Sequence, residues 1–385
     1  MEYGAITIDT SIFDKNALKI DSGILKNLSQ FKGKPAGLIL SEIVINEIYS
    51  HLERKSFESR KNIESALKDA PHYLRLEAEH TEEISAKIRE LKDSKETAKD
   101  IIKKFIHDTS AEIIKAEGNI KISELIKRYF TNTSPFADSG KKKNEFPDAI
   151  ALLSLEAYAQ TNKTKILAIS TDKDWASFAS NSPYIDVIED LAQGIALFSP
   201  NTESDALCKV ISSKIATAEW EKIQSQIEDA LPDAIGDMQI TAEADSSFYY
   251  EPSNFVEIEF IEFDFEKDPD SNAIITPIQR HHGGLTIQAK IKIRAKAYAD
   301  FSLSMHDSID DDYVSMGSAS AEKAIDFDSA ILFTIDGEID YKNPENTEPD
   351  KVEIHSIELL KNRLTVDFGY IQPDWFDINP DDERY

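Results

Sequence analysis

The chain has 385 residues, more than one hydrophobic core usually organises, so two domains are expected. With 41% apolar and 30% charged residues it can bury a core. That composition argues against a mainly disordered chain, and no apolar stretch approaches the roughly 18 to 20 residues of a bilayer span, which argues against a membrane protein.

A single cysteine, Cys208, rules out an internal disulfide and a thiolate zinc site. Met1 to Thr10 carries no basic and apolar leader pattern, and together these features point to the cytoplasm. The net charge of -28 divides unevenly, -3 over residues 1–200 and -25 over residues 201–385. Such a field repels polyanions, so only the first half is expected to meet nucleic acid.

In chain order, short apolar strands are expected at Ala5 to Ile8, Gly37 to Leu40, Lys165 to Ile169 and Tyr184 to Val187, with helical patterns after the first three. This α/β ordering predicts a mainly parallel sheet flanked by helices over residues 1–200. From about His51 to Phe130 a charged segment with helical spacing, broken only near Pro71 and Gly118, predicts a helical insertion with a solvated Lys and Glu surface.

Residues 201–231 read as one amphipathic linker helix through Leu207, Val210, Ile211, Ile215, Trp220, Ile223 and Ile227, ending before Pro232. Beyond it the period becomes two. Every odd position from Leu285 to Met305 is apolar. At about 3.4 Å per residue an unbroken strand would approach ~70 Å, so a bend or a break is expected. In Phe255 to Phe265 the alternation slips phase between Phe260 and Ile261, which predicts a β-bulge. Further strands are expected at Met238 to Ala244, Ala330 to Ile335, Val352 to Leu360 and Leu364 to Tyr370. Residues 232–385 thus form an acidic antiparallel β-sandwich or curved sheet.

Chemistry is concentrated in carboxylates at the ends of the first-half strands, the side where α/β proteins bind ligands. Asp9 follows Ile8 and precedes Thr10 and Ser11; capping the next helix is the competing account. In Ser41-Glu42-Ile43-Val44-Ile45-Asn46-Glu47-Ile48, Glu47 lies at the edge of the apolar stripe and Glu42 nearly opposite. A carboxylate beside a core needs a cation or donors, which favours Glu47 as the functional residue, while the helix dipole accounts for Glu42. Asp148 opens a helix behind Pro147 and shares a face with Leu152 and Leu155; capping again competes. Asp172, with Asp174 two residues on, follows the strand ending at Ile169. Four acids at equivalent ends of one sheet repel one another unless cations lie between them, which is how Mg²⁺ or Mn²⁺ sites are built.

The ordered motifs Ile8-Asp9-Thr10-Ser11, Val44-Ile45-Asn46-Glu47-Ile48, Phe146-Pro147-Asp148-Ala149-Ile150 and Ser170-Thr171-Asp172-Lys173-Asp174-Trp175 resemble PIN and PIN-like nucleases, in particular bacterial PIN-like proteins with a helical insertion. Ser134-Pro135-Phe136 and Lys141-Lys142-Lys143 ahead of Asp148 also resemble that subgroup. Ser41 stands where many relatives have proline, and Trp175 where phenylalanine is usual. The resemblance covers roughly residues 3–195. It implies a metal-dependent endoribonuclease that cleaves single-stranded RNA by metal-activated water, with Asp9, Glu47, Asp148 and Asp172 as catalytic metal ligands and Asp174 beside them.

Thr10, Thr171, Lys141, Lys142 and Lys143 are the substrate-binding candidates, the lysines because an acidic site cannot itself attract RNA. The alternatives are a structure-specific DNA nuclease, or an inactive PIN-like scaffold that binds a protein partner, or a second copy, through its acidic β domain. Arg280-His281-His282-Gly283-Gly284 is expected to be a polar loop, since adjacent strand histidines point to opposite faces. No His-Glu-x-x-His, Gly-x-Ser-x-Gly, Walker A or Gly-x-Gly-x-x-Gly motif is present.

Overall fold

The computed structural model describes residues 3–34, 36–136, 145–198, 202–307 and 311–377. Two compact units divide the chain, Met1–Ser199 and Pro200–Tyr385. The first is built in the order β1 (Ala5–Ile8), α1 (Thr10–Lys15), α2 (Gly23–Lys26), β2 (Gly37–Ser41), α3 (Glu42–Tyr73), α4 (Ala78–Glu90), α5 (Ser94–Thr109), β3 (Glu112–Ile114), α6 (Ile122–Phe130), α7 (Phe146–Asn162), β4 (Ile166–Ile169), α8 (Lys173–Ala179), β5 (Ile185–Ile188) and α9 (Leu191–Leu197). All five strands are parallel, in the order β3-β2-β1-β4-β5.

The unbroken apolar runs of β1 and β4 are buried at every position, as expected of strands covered on both faces by helices. In register, Ala5 lies beside Gly37 and Ile166, and Ile8 beside Ile169. The carboxyl ends of β1, β2 and β4 therefore lie at one edge of the sheet, and α1, α3 and α8 start there.

The insertion differs from its expected outline in two ways. Its first helix is continuous with the one that follows β2: α3 runs 32 residues, because nothing between Ser41 and the last turn, which contains Pro71, stops it. The insertion also contributes an edge strand, β3, of three residues, too short for any period to be visible. Arg60 on α3 donates to the carbonyls of Ile88, Leu91 and Lys92, satisfying orphan acceptors at the end of α4.

The second unit comprises α10 (Thr202–Lys214), α11 (Glu221–Gly236), β6 (Gln239–Asp245), β7 (Tyr249–Phe265), β8 (Ile275–Arg280), β9 (Gly284–Asp307), β10 (Asp312–Gly337), β11 (Val352–Leu359) and β12 (Arg363–Tyr370). Its main sheet is antiparallel, β11-β10-β9-β7 with β8 also on β9, and a small parallel pair joins β12 to β6. The single linker helix expected over residues 201–231 is two helices separated by a 3₁₀ turn at Ala218–Trp220, and Pro232 lies inside α11. Packing explains both. Leu207, Ile211, Trp220, Ile223, Ile227, Leu231 and Ile235 are buried in one cluster with residues of β7, β9, β10 and β11, so the segment is core, and burial of Leu231 and Ile235 carries α11 past its proline.

The long alternating strand is not broken in two but runs continuously over 24 residues. Its apolar face is shared by two clusters. Leu285 to Ala295 pack under the helices, whereas Ala297, Ala299, Phe301 and Leu303 pack with Val366 and Phe368 of the small parallel pair. Register irregularities fall on the neighbouring strands, including the expected one in β7 between Phe260 and Glu262. β10 is far longer than the expected Ala330 to Ile335, because its first half is rich in Ser, Gly and Ala and largely exposed, leaving little hydrophobic alternation to read. His281 and His282 lie in the turn between β8 and β9, where His281 Nε2 is 2.7 Å from Thr286 Oγ1.

Candidate active site

Asp9 occupies the step from β1 into α1, pinned by its backbone N–H donating to Ile169 O at 2.9 Å. Its side chain is 5% exposed and accepts from three donors: the Thr10 N–H at 2.7 Å, Ser11 Oγ at 2.6 Å and Ser170 Oγ at 2.8 Å. Burial raises its pKa, and these donors, which favour the ionised form, oppose the rise. Asp9 is the N-cap of α1 and also the most buried of the four acids.

Glu47 lies in the second turn of α3 and accepts from Thr10 Oγ1 at 2.6 Å, so Asp9 and Glu47 are linked through consecutive groups of α1. Glu42, one turn earlier, accepts from the Ala116 N–H at 2.6 Å and holds the loop after β3. That structural duty separates it from Glu47. Asp148, in the first turn of α7, accepts from Trp175 Nε1 at 3.0 Å. Asp172 caps α8 through the Asp174 N–H at 2.7 Å, and its own N–H donates to Ser170 Oγ at 3.0 Å.

Electrostatics ties the four acids together. Asp148 is pushed up to about 7, first by burial, opposed by the Trp175 bond, and further by the negative charges of Asp9, Asp172 and Glu47. Asp174 is also raised, by burial and by Asp172 and Glu145. Among the described residues none of the four forms an ion pair with Lys, Arg or His. The donors are hydroxyl, amide and indole groups, which orient carboxylates without neutralising them.

The residues fit a hard divalent cation in chemistry, being oxygen donors whose mutual repulsion an ion would relieve. Among the described residues, however, no three His, Cys, Asp or Glu side chains converge as a ready-made ion-binding group. The acids therefore share one electrostatic site without forming a closed coordination shell.

Residues 6–175 match the family model of the PIN domain. The N-terminal unit is a PIN-like domain. No curated protein and no solved structure matches the chain. PIN domains are generally nucleases and typically use divalent metals.

Within the PIN-like domain, the structure gathers Asp9, Glu47, Asp148 and Asp172, with Asp174 alongside. Thr10 is spent on Glu47, whereas Thr171 is exposed and its N–H donates to Ser11 Oγ at 3.3 Å. Lys141, Lys142 and Lys143 lie outside the described residues. Sequence reasoning missed the roles of Ser11, Ser170 and Trp175. The signal was present in the hydroxyl residues that follow both β1 and β4, but that their two hydroxyls meet on one carboxylate follows from the β1–β4 register. Among the described residues no helix is long and apolar enough to cross a membrane.

Proposed function

We propose that the PIN-like domain is a divalent-metal-dependent endoribonuclease that hydrolyses single-stranded RNA. The observation that carries this reading is a half-buried Asp148, raised to about 7 first by burial and further by the charges of Asp9, Asp172 and Glu47, with no compensating cationic side chain among the described residues. A site built only to stabilise the fold would have no reason to retain that repulsion.

Asp9, Glu47, Asp148 and Asp172 would hold Mg²⁺ or Mn²⁺, with Asp174 at the margin. When bound, such an ion supplies charge neutralisation at the phosphate and activation of water for phosphodiester hydrolysis. Ser11, Ser170 and the Thr10 N–H orient Asp9, Thr10 Oγ1 orients Glu47, and Trp175 Nε1 holds Asp148. Thr171 and the lysines at 141–143 would contact the RNA backbone, the lysines providing positive charge that the four acids lack. The acidic second unit, which repels polyanions, would contact protein, either a partner or a second copy.

A second reading, an inactive PIN-like scaffold, is favoured by the lack of three convergent ligands among the described residues. Cleavage of labelled single-stranded RNA and DNA with Mg²⁺, Mn²⁺ or EDTA, comparing the full chain with Asp148→Asn, decides between them. Metal-dependent RNA cutting lost in the variant supports the nuclease. Cutting of DNA alone moves the assignment to a DNA nuclease, and no cutting in any condition by the folded protein supports the scaffold.

A further inference from the structure

The last residues of α6 and the first turn of α7 are joined by aromatic rings. Tyr129 lies 5.2 Å from Phe130, 5.5 Å from Phe136 and 5.0 Å from Phe146 between ring centroids, and Phe136 lies 5.0 Å from Phe146. Phe136 is buried at 2% exposure, and Phe146 stands two residues before Asp148. At the outer end of this cluster Phe130 is 77% exposed. Ile126 and Ile122, one and two turns earlier on the same stripe of α6, are also exposed. Edge-to-face contact with Tyr129 holds the Phe130 ring while leaving its surface to solvent.

The same segment carries the charge that the acidic centre lacks. From Lys121 to Phe130 there are three cations and one anion, and Lys121 and Lys127 are exposed. Arg128 is committed elsewhere: it bonds Glu124 at 3.0 Å and the Ser134 carbonyl at 2.8 Å, with its guanidinium 5.3 Å from the Phe178 ring centre. A polyanion repelled by Asp9, Glu47, Asp148 and Asp172 needs attachment points away from them, and this helix supplies aromatic, apolar and cationic ones together.

Resting on the nuclease reading, we propose that Phe130, backed by Tyr129, is a stacking platform for an unpaired base of the single-stranded substrate. Ile122 and Ile126 extend the apolar track, and Lys121 and Lys127 meet phosphates. Every base has a π face, so such a platform selects strandedness and tolerates sequence. A duplex, whose bases are stacked on one another, offers it nothing.

The test uses the full chain carrying Asp148→Asn to suppress cleavage, and measures the anisotropy of a labelled single-stranded RNA and of a blunt RNA duplex. Phe130→Leu keeps an apolar side chain but removes the ring, and Phe130→Trp keeps a ring. The expected result is about tenfold weaker single-strand binding for Leu, Trp within about twofold of the parent, and duplex binding unchanged in both. A Leu variant that binds single strands as tightly as the parent overturns the platform while leaving the nuclease reading intact. Equal loss on single strand and duplex also overturns it, as does unchanged RNA binding with loss of self-association. A parent that binds neither RNA form overturns the nuclease reading and the platform with it.

Discussion

Acidic side chains crowd two places in this protein, and their surroundings differ. On the outer face of the antiparallel sheet, Lys292 pairs with Asp328, Arg294 with Glu262 and Asp326, and Lys296 with Glu322, all at the surface. There a basic central strand runs between two acidic ones, and cross-strand pairing accounts for the pattern. At the carboxyl edge of the parallel sheet the acids are fewer and more buried, and among the described residues they meet only neutral donors. That sheet face, although it lies in the more highly charged half of the chain, is therefore the locally compensated one. Net charge shows where a polyanion is repelled, whereas a lack of compensation shows where a cation is wanted.

The largest effect should follow from removing one of the uncompensated acids. Asp148→Asn is expected to lower kcat at least about a hundredfold, since even groups that merely orient metal ligands are worth 10- to 100-fold. The same variant should raise Tm in metal-free buffer at pH 8, because it removes a buried charge facing three others and keeps an oxygen for Trp175 Nε1 to donate to. Loss of activity accompanied by a lower Tm would mean that the acid serves the fold.

The second prediction concerns pH. The carboxyl of Asp148 is raised in the folded state to about 7 from 3.8, so folded protein retains a proton that the unfolded chain has already lost. This contribution is fully present below about pH 4 and is lost as pH rises through about 7. Metal-free stability should therefore fall across that window by an amount on the order of a few kcal/mol, and the fall should shrink in Asp148→Asn. Urea unfolding at pH 5 and pH 8 measures it. A stability that rises over the window in the wild type but not in the variant would reverse the sign assigned to Asp148.

Adding Mg²⁺ or Mn²⁺ at pH 8 should raise the Tm of the wild type and leave Asp148→Asn nearly unmoved, with the size set by ion concentration relative to Kd. Equal shifts in both proteins would place the ion elsewhere. Ser170→Ala, which removes one donor to Asp9, should cost about tenfold in cleavage with little change in fold. The smallest effect belongs to the compensated face. Glu262→Gln should leave cleavage unchanged and shift Tm by no more than about 2 °C, as expected of exposed pairs. A large loss there would break the contrast between the two regions.

Much of this was legible in the residues. Strands β1, β2 and β4 appear as short apolar runs because a sheet covered on both faces needs nothing else, and the bulge in β7 appears as a phase slip. Glu47 could be preferred to Glu42 because helical geometry alone separates their faces. The signal failed where length or amplitude was small, as in three-residue β3 and the Ser- and Ala-rich half of β10. It also failed where packing overrode a local rule, as at Pro232.

Periodicity, charge division and the order of four short acidic motifs were enough to determine an α/β first half, a β-rich second half and the acids to suspect, because these depend on spacing along the chain. Which groups meet across the chain was decided only by tertiary structure. Ser11 and Ser170 share one carboxylate because β1 and β4 are adjacent and in register. Asp148 is raised to about 7 first because packing of α7 buries its carboxyl, and further because that placement brings it near charges from three other elements.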